Sequence, residues 1–344
     1  MNRVVVGGAL GLGAYLAYQA LKPRYVFHGK HVLITGGSRG LGLVLARELG
    51  AQGARLSICG REHNELVRAQ DDLSRRGINA FAAECDVTDR QRVEELVATA
   101  RQANGPVDVL VNNAGIIQVG PAGVMRDEDY EASLRTHFWA ALHTTAAVVP
   151  EMKARREGRI INIASIGGKV AVPHLLPYTV GKFALVGLSA GLREELARWG
   201  IVVTTVCPGL MRTGSHLNAL FKGNREREYN WFAAGVSVRG LSMSAESAAR
   251  RIVNAAARGD AEVILGLPAK AAVAVQALCP NLMSDLLALI NRLVLPDPSG
   301  DKVSNAKGSQ SRGRMPRFVT KLPDRAAAAN NEEGAAALRP PLPA

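Results

Sequence analysis

Between residues 28 and 266, short apolar runs rich in β-branched residues alternate with longer stretches whose apolar positions recur every three or four residues. The runs fall at His31–Thr35, Arg55–Cys59, Asn79–Cys85, Val107–Val111, Arg159–Ala164, Ile201–Cys207 and Glu262–Leu265. Helical spacing marks Leu41–Gln52, Arg90–Gln102 and Phe183–Trp199 among the stretches between them. Strands that alternate with helices predict an α/β fold, a doubly wound and mostly parallel seven-stranded sheet with helices on both faces. Ligands of such sheets bind beyond the carboxyl ends of the strands.

The pattern changes at both ends. Val4 to Leu21 is a stretch without a charged residue. As a helix it would rise about 27 Å, close to the roughly 30 Å of a hydrocarbon core. No small-residue cleavage site precedes Lys22, so residues 1–27 are expected to be an uncleaved membrane anchor, the alternative being a helix docked on the protein's own core. Lys22, Arg24 and Lys30 outnumber Arg3, so the part of the chain that follows is expected on the cytoplasmic side. Residues 28–296 are expected to be one domain, with a polar and aromatic lid at 210–244. Leu282, Met283, Leu286, Leu287, Ile290, Leu293 and Val294 give it a C-terminal amphipathic helix over 281–295, which could pack on the domain, cover a substrate mouth or lie on a membrane surface, with packing the first expectation. From 297 to 344 Pro, Gly, Ser, Asn and Ala dominate without periodicity, which predicts a disordered basic tail.

Charge sharpens this division. The chain of 344 residues carries 42 Lys+Arg against 30 Asp+Glu, a net +12. Two-thirds of that excess lies in residues 1–30 and 301–344, flanking the α/β region. No recognition motif for nucleic acid accompanies it, and the placement suits an anionic membrane face. The four cysteines have no CxxC spacing, and the histidines form no metal-spaced cluster, so neither a disulfide framework nor a metal site is expected.

The first strand leads into Thr35-Gly36-Gly37-Ser38-Arg39-Gly40-Leu41-Gly42 and then into a helix. A glycine-rich turn from strand to helix lets backbone N–H groups approach a pyrophosphate at the positive end of the helix dipole. An NAD site usually ends its second strand on an acid that takes the ribose 2′-hydroxyl. Here that strand ends on Cys59-Gly60-Arg61. Arg61 and Arg39 would instead clamp a 2′-phosphate, which points to NADP.

These features, in order, resemble the short-chain dehydrogenase/reductase family over residues 28–266, and so a Rossmann-like fold. The TGxxxGxG turn is followed by Asp86-Val87, by Asn112-Asn113-Ala114-Gly115, by Ser165, by Tyr178-x-x-x-Lys182 and by Pro208-Gly209 with Thr213. The resemblance implies that Asp86 and Val87 border the adenine. It implies that Asn112, Asn113, Ala114 and Gly115 stabilise the cofactor side of the sheet, and that the stretch from Pro208 and Gly209 to Thr213 borders the nicotinamide. It also implies pairing of two copies through the helices after the fourth and fifth strands.

Reducing a carbonyl needs a proton for the alkoxide that hydride transfer creates. Tyr178 can supply it, and the ammonium of Lys182, one helical turn on, together with the positive charge of an oxidised nicotinamide, is expected to draw the phenol's pKa down from about 10. Ser165 can hydrogen-bond the substrate oxygen. The chain departs from the family twice. His137 stands where the family usually has an asparagine that positions a water linking the lysine to solvent, and is expected either to keep that relay or to be a packed helix residue. Gly181 precedes the lysine, at a cost to the helix of about 1 kcal/mol.

The resulting expectation is a membrane-anchored, NADP-dependent oxidoreductase that interconverts an alcohol and a carbonyl. Leu217, Leu220, Phe221, Trp231 and Phe232 of the lid suggest an apolar substrate such as a lipid or a steroid-like molecule. The alternative is an NADP-binding scaffold without turnover, toward which only His137 points.

Overall fold

The computed structural model describes residues 23–297, 301–313, 315–316 and 318–333. Its centre is a seven-stranded sheet of β1 (His31–Thr35), β2 (Arg55–Gly60), β3 (Ala80–Glu84), β4 (Val109–Asn112), β5 (Gly158–Ile163), β6 (Ile201–Pro208) and β7 (Glu262–Leu265). The spatial order is β7-β6-β5-β4-β1-β2-β3, and every neighbouring pair is parallel. The order reverses between β1 and β4, which opens a crevice at their carboxyl ends.

Helices cover both faces because the strands are apolar on both sides. One face is covered by α1 (Gly40–Ala51), α2 (His63–Ser74) and, later in the chain, a helix at Ala245–Arg258. α3 (Arg90–Asn104), α4 (Asp127–Leu134), α5 (Ala140–Arg155) and α6 (Leu176–Leu196) belong to the other side. Leu33, Ile34, Leu43, Leu45, Leu56 and Ile58 are fully buried between these layers. Each contributes about 1.5–3 kcal/mol of apolar transfer free energy.

The apolar segment Val4–Leu21 lies outside the described residues, and no helix among the described residues is long and apolar enough to cross a membrane. The expected anchor boundary at residue 27 needs correction. Phe27 is buried in the core, and Tyr25 hydrogen-bonds Ala257 O at 2.8 Å with Arg159 stacked 4.2 Å above its ring. Residues 25–27 are therefore part of the catalytic domain.

Residues 210–244 are a folded insertion. Leu220–Gly223 forms a small sheet with Gln118–Val119 and with Asp301–Lys307, and α7 (Arg225–Ser237) packs on it. Phe221 and Phe232 are core residues of this insertion, next to buried Tyr229 and Val119, so they do not line a substrate cavity. Aromatic rings that pack edge-to-face on one another leave little surface to offer a ligand.

The tail expected to be disordered is folded over much of its length. Besides the strand at Asp301–Lys307 it forms a helix, Lys321–Ala329, followed by Asn330, Asn331 and Glu332 on the domain surface. Long-range pairing supplies what the local composition lacks. His216 Nε2 lies 2.9 Å from Asp324 Oδ1, and Arg312 donates to Asp324 Oδ2 at 2.7 Å.

The amphipathic helix at Pro280–Leu293 also differs from expectation. Met283 is its only buried residue, while Leu282, Leu286, Leu289, Ile290 and Leu293 are exposed. Its Ser284, Leu287 and Asn291 close one side of a cleft of about 880 Å³, opposite Val172, His174 and Leu176. It covers a cleft beside the start of α6 instead of packing its leucine row on the domain.

Candidate active site

Thr35 ends β1, where the backbone must turn sharply toward α1. Gly36 (φ +62°) and Gly40 (φ +56°) supply the left-handed conformations of this turn. A Cβ on Gly42 would lie 2.0 Å from Gly36 O, so only glycine fits there. The turn is tied to the end of β4: Asn113 N and Ala114 N donate to Thr35 Oγ1 at 3.0 and 3.1 Å. Asn113 Nδ2 donates to Thr35 O and Gly36 O at 3.1 and 3.0 Å.

Asn112 is buried in a different network. Its amide donates to Asn162 Oδ1 at 2.8 Å and accepts from Thr144 Oγ1 at 2.6 Å, linking β4 to β5 and α5. The contact with the turn belongs to its neighbour Asn113. Leu41 and Val87 are buried, and exposed Asp86 closes a local turn by accepting from Thr88 N and Oγ1 at 3.0 and 2.8 Å.

Ser38 lies against the end of β2, since a Cβ on Gly60 would meet Ser38 Oγ at 2.7 Å. Arg39 and Arg61 therefore flank one region from the turn and from β2. Arg61 is exposed, whereas Arg39 is engaged. Its Nη1 donates to Glu65 Oε1 at 2.9 Å and to Asn218 Oδ1 at 3.0 Å. Glu65, on α2, is an acid that reading the strand end alone misses.

Oxygen acceptors fit the amino end of α1. The Glu332 carboxylate sits there, with Oε1 2.3 Å from where a Cβ on Gly40 would stand. Burial, opposed by Arg39 and a hydrogen bond from Asn218, raises its pKa from 4.5 to about 7. A helix amino terminus with glycines clearing its approach is the donor set that a pyrophosphate needs.

At the other side of the crevice, Ser165, Tyr178, Lys182 and His137 come together. Ser165 follows β5, accepts from Gly167 N at 3.0 Å and lies beside the Tyr178 ring, both close to Gly167. Tyr178 and Lys182 lie one turn apart on α6, with Nζ 5.7 Å from the phenol ring centroid. Lys182 Nζ donates to Ile163 O at 2.8 Å. Burial lowers Lys182 from 10.5 to about 7 and raises Tyr178 from 10.0 to about 12, the Ser165 hydroxyl acting against the latter. The expected downward pull of Lys182 on the phenol is thus absent from the protein alone. Desolvation dominates both groups, and the amine faces a carbonyl. Tyr178 stands as the neutral phenol, the form that donates a proton.

His137 sits in a π-helical turn, Arg135–Trp139, between α4 and α5. Such turns insert one residue into a helix and re-aim its side chains. The ring is buried, edge-on to Tyr178 at 5.4 Å between centroids. Its Nε2–H donates to Ile116 O at 2.9 Å, leaving Nδ1 as a buried acceptor without a protein partner. Burial first, then the charge of Lys182, keeps it neutral by lowering its pKa well below 6.5.

The two departures from the family pattern are one arrangement. A Cβ at Gly181 would lie 2.9 Å from His137 Cδ2 and 2.6 Å from Ser133 Oγ. On the ring's other edge, a Cβ at Gly115 would lie 2.8 Å from Cε1. Glycines on both sides make room for an imidazole. Pro208 ends β6, Gly209 N donates to Leu265 O at 2.9 Å, and buried Thr213 accepts from Ser215 N at 3.2 Å, forming the far wall of the crevice.

A family model described as short chain dehydrogenase matches residues 30–220. Oxidoreductase UcpA of Salmonella typhimurium is 38% identical over 186 residues, which cover 54% of this chain and 70% of that protein. A solved actinorhodin polyketide ketoreductase with NADPH aligns at a TM-score of 0.61 and 32% identity, over 69% of this chain and 95% of the other. A gluconate 5-dehydrogenase from Burkholderia cenocepacia in complex with NADP and tartrate aligns at 0.63 and 26% identity, over 72% and 98%.

Proposed function

The chain belongs to the short-chain dehydrogenase family, and on that premise we propose that it is an NADP-dependent enzyme interconverting an alcohol and a carbonyl. The observation that carries this reading is the convergence of Ser165, Tyr178 and Lys182 at the mouth of the crevice. The turn at Thr35–Gly42 would hold the pyrophosphate, with Arg39 and Arg61 on the 2′-phosphate. The bound cofactor supplies the hydride. Ser165 orients the substrate oxygen, and Tyr178 Oη gives it a proton during reduction or takes one during oxidation. Lys182 lies beneath the phenol, and Nδ1 of neutral His137 accepts a hydrogen bond from water that connects Lys182 to solvent. Tyr178→Phe should lower turnover by at least about 10²-fold, the usual worth of a positioned acid, with NADPH affinity unchanged. Turnover retained in that variant refutes the assignment.

The substrate in this reading is apolar and the protein works at a membrane surface, its catalytic domain toward the cytoplasm. Support comes from the exposed leucine row of Pro280–Leu293 beside the cleft and from the uncharged stretch Val4–Leu21. Failure of the full chain to float with anionic vesicles would remove this part of the reading. A second copy pairs along α6, where exposed Phe183, Gly187 and Gly191 follow one another at one-turn intervals and a Cβ on either glycine meets nothing within 4 Å.

A further inference from the structure

The folded tail lies on the turn assigned above to the dinucleotide, and its contacts are those a dinucleotide would need. Asn330 O accepts from Gly40 N at 2.8 Å, taking a backbone donor at the amino end of α1. Asn331, in the left-handed conformation (φ +58°), donates from Nδ2 to Ser38 O at 2.8 Å and to Glu65 O at 2.9 Å. It thus bridges the turn and α2 next to the Arg39–Arg61 region. The Glu332 carboxylate fills the space over Gly40, held by Asn218 Nδ2 at 2.7 Å to Oε2.

Other cations hold the segment from the side. Arg47 donates to Asn330 Oδ1 and Ala329 O at 3.0 and 2.8 Å, and Arg68 donates to Asn331 Oδ1 at 2.7 Å. Glu332 and Ala327 also crowd the backbone at Gly214, where a Cβ would meet them at 2.8 and 2.6 Å. One carboxyl group and one backbone carbonyl therefore occupy the place of phosphate oxygens, and the Asn331 amide ties the segment to the turn. Two ligands cannot share the space over Gly40.

We propose that residues 330–332 are an internal competing ligand of the dinucleotide site, so that the chain is autoinhibited until NADPH displaces its own tail. This rests on the reading of the Thr35–Gly42 turn as the cofactor site. Residues 301–333 lie beyond residues 30–220, the part of the chain that the family model matches.

The test uses the full chain and NADPH. Hydrogen exchange of residues 321–332 is measured with and without saturating NADPH, and NADPH affinity is compared between the unmodified chain and Asn331→Ala/Glu332→Ala. Exchange protection of the segment should fall on NADPH binding. If the docked state holds about nine-tenths of the population, the double variant should bind NADPH about tenfold more tightly. Protection that persists with NADPH bound, or weaker NADPH binding in the variant (a tail that clamps the cofactor), overturns the proposal and leaves the cofactor reading standing. Absence of NADPH binding by both proteins overturns the cofactor reading and the proposal with it.

Discussion

Replacing Gly181 by alanine should damage this protein, although the same change would help an ordinary helix. Alanine at an interior helix position gains about 1 kcal/mol over glycine. Here the new methyl would stand 2.9 Å from His137 Cδ2, 2.6 Å from Ser133 Oγ and 3.1 Å from Ser133 O. The hydroxyl can rotate, but the imidazole is held by its bond to Ile116 O and by Gly115 behind it. Overpacking of this kind costs about 1–3 kcal/mol, so Gly181→Ala should be net destabilising by up to about 2 kcal/mol. In a His137→Asn background the ring contact disappears, and the same substitution should be neutral or stabilising. Urea unfolding of the four proteins gives the coupling free energy, expected at about 1–2 kcal/mol. Activity should follow, falling in Gly181→Ala and recovering in the double variant. Additivity within about 0.5 kcal/mol would refute the shared-space argument.

Three further outcomes are expected. Arg39→Ala/Arg61→Ala should shift preference from NADPH toward NADH in steady-state kinetics, and unchanged discrimination would remove both arginines from the 2′-phosphate. Docking of the tail should weaken as pH rises from 4.5 to about 7, because docked Glu332 keeps a proton there that a released carboxyl gives up. That difference corresponds to at most about 3 kcal/mol. The facing charges are Arg39, which lowers the Glu332 pKa, and Glu65, which raises it. NADPH affinity of the unmodified chain should therefore climb over this range relative to Glu332→Gln, and parallel profiles would contradict the assignment. Phe183→Glu should turn a dimer into a monomer in sedimentation velocity, and an unaltered sedimentation coefficient would move the interface off α6.

The sheet was legible because each strand writes its own pattern. β1 and β7 begin and end where the apolar runs do, and the others differ by one or two residues. The reacting groups were legible for a similar reason, since a motif such as Tyr178 to Lys182 lies within one helical turn. What escaped depends on contacts distant in sequence. Asn331 meets Ser38 across 293 positions, and nothing in a stretch of Pro, Ser and Asn announces a partner so far away. The aromatic residues of 210–244 carried a real signal, but burial in a small core and exposure to a substrate produce the same composition. His137 and Gly181 were both visible as departures, while their common cause, one ring needing room, exists only in three dimensions.

The buried pairing of Asn112 with Asn162 has a consequence for how the crevice keeps its shape. These residues stand directly opposite each other on β4 and β5, and Asn162 faces Thr205 on β6. Asn162 Nδ2 donates to Ser189 Oγ at 2.9 Å, which also accepts from Thr205 Oγ1 at 2.6 Å. If one strand slipped by a single residue, these polar groups would lose their partners inside an apolar layer, and leaving each one unpaired costs about 1–3 kcal/mol. Asn113, Ser165 and Pro208 all lie within three residues downstream of this row. The row is therefore the gauge from which the working ends of three strands are measured, and it is buried from end to end.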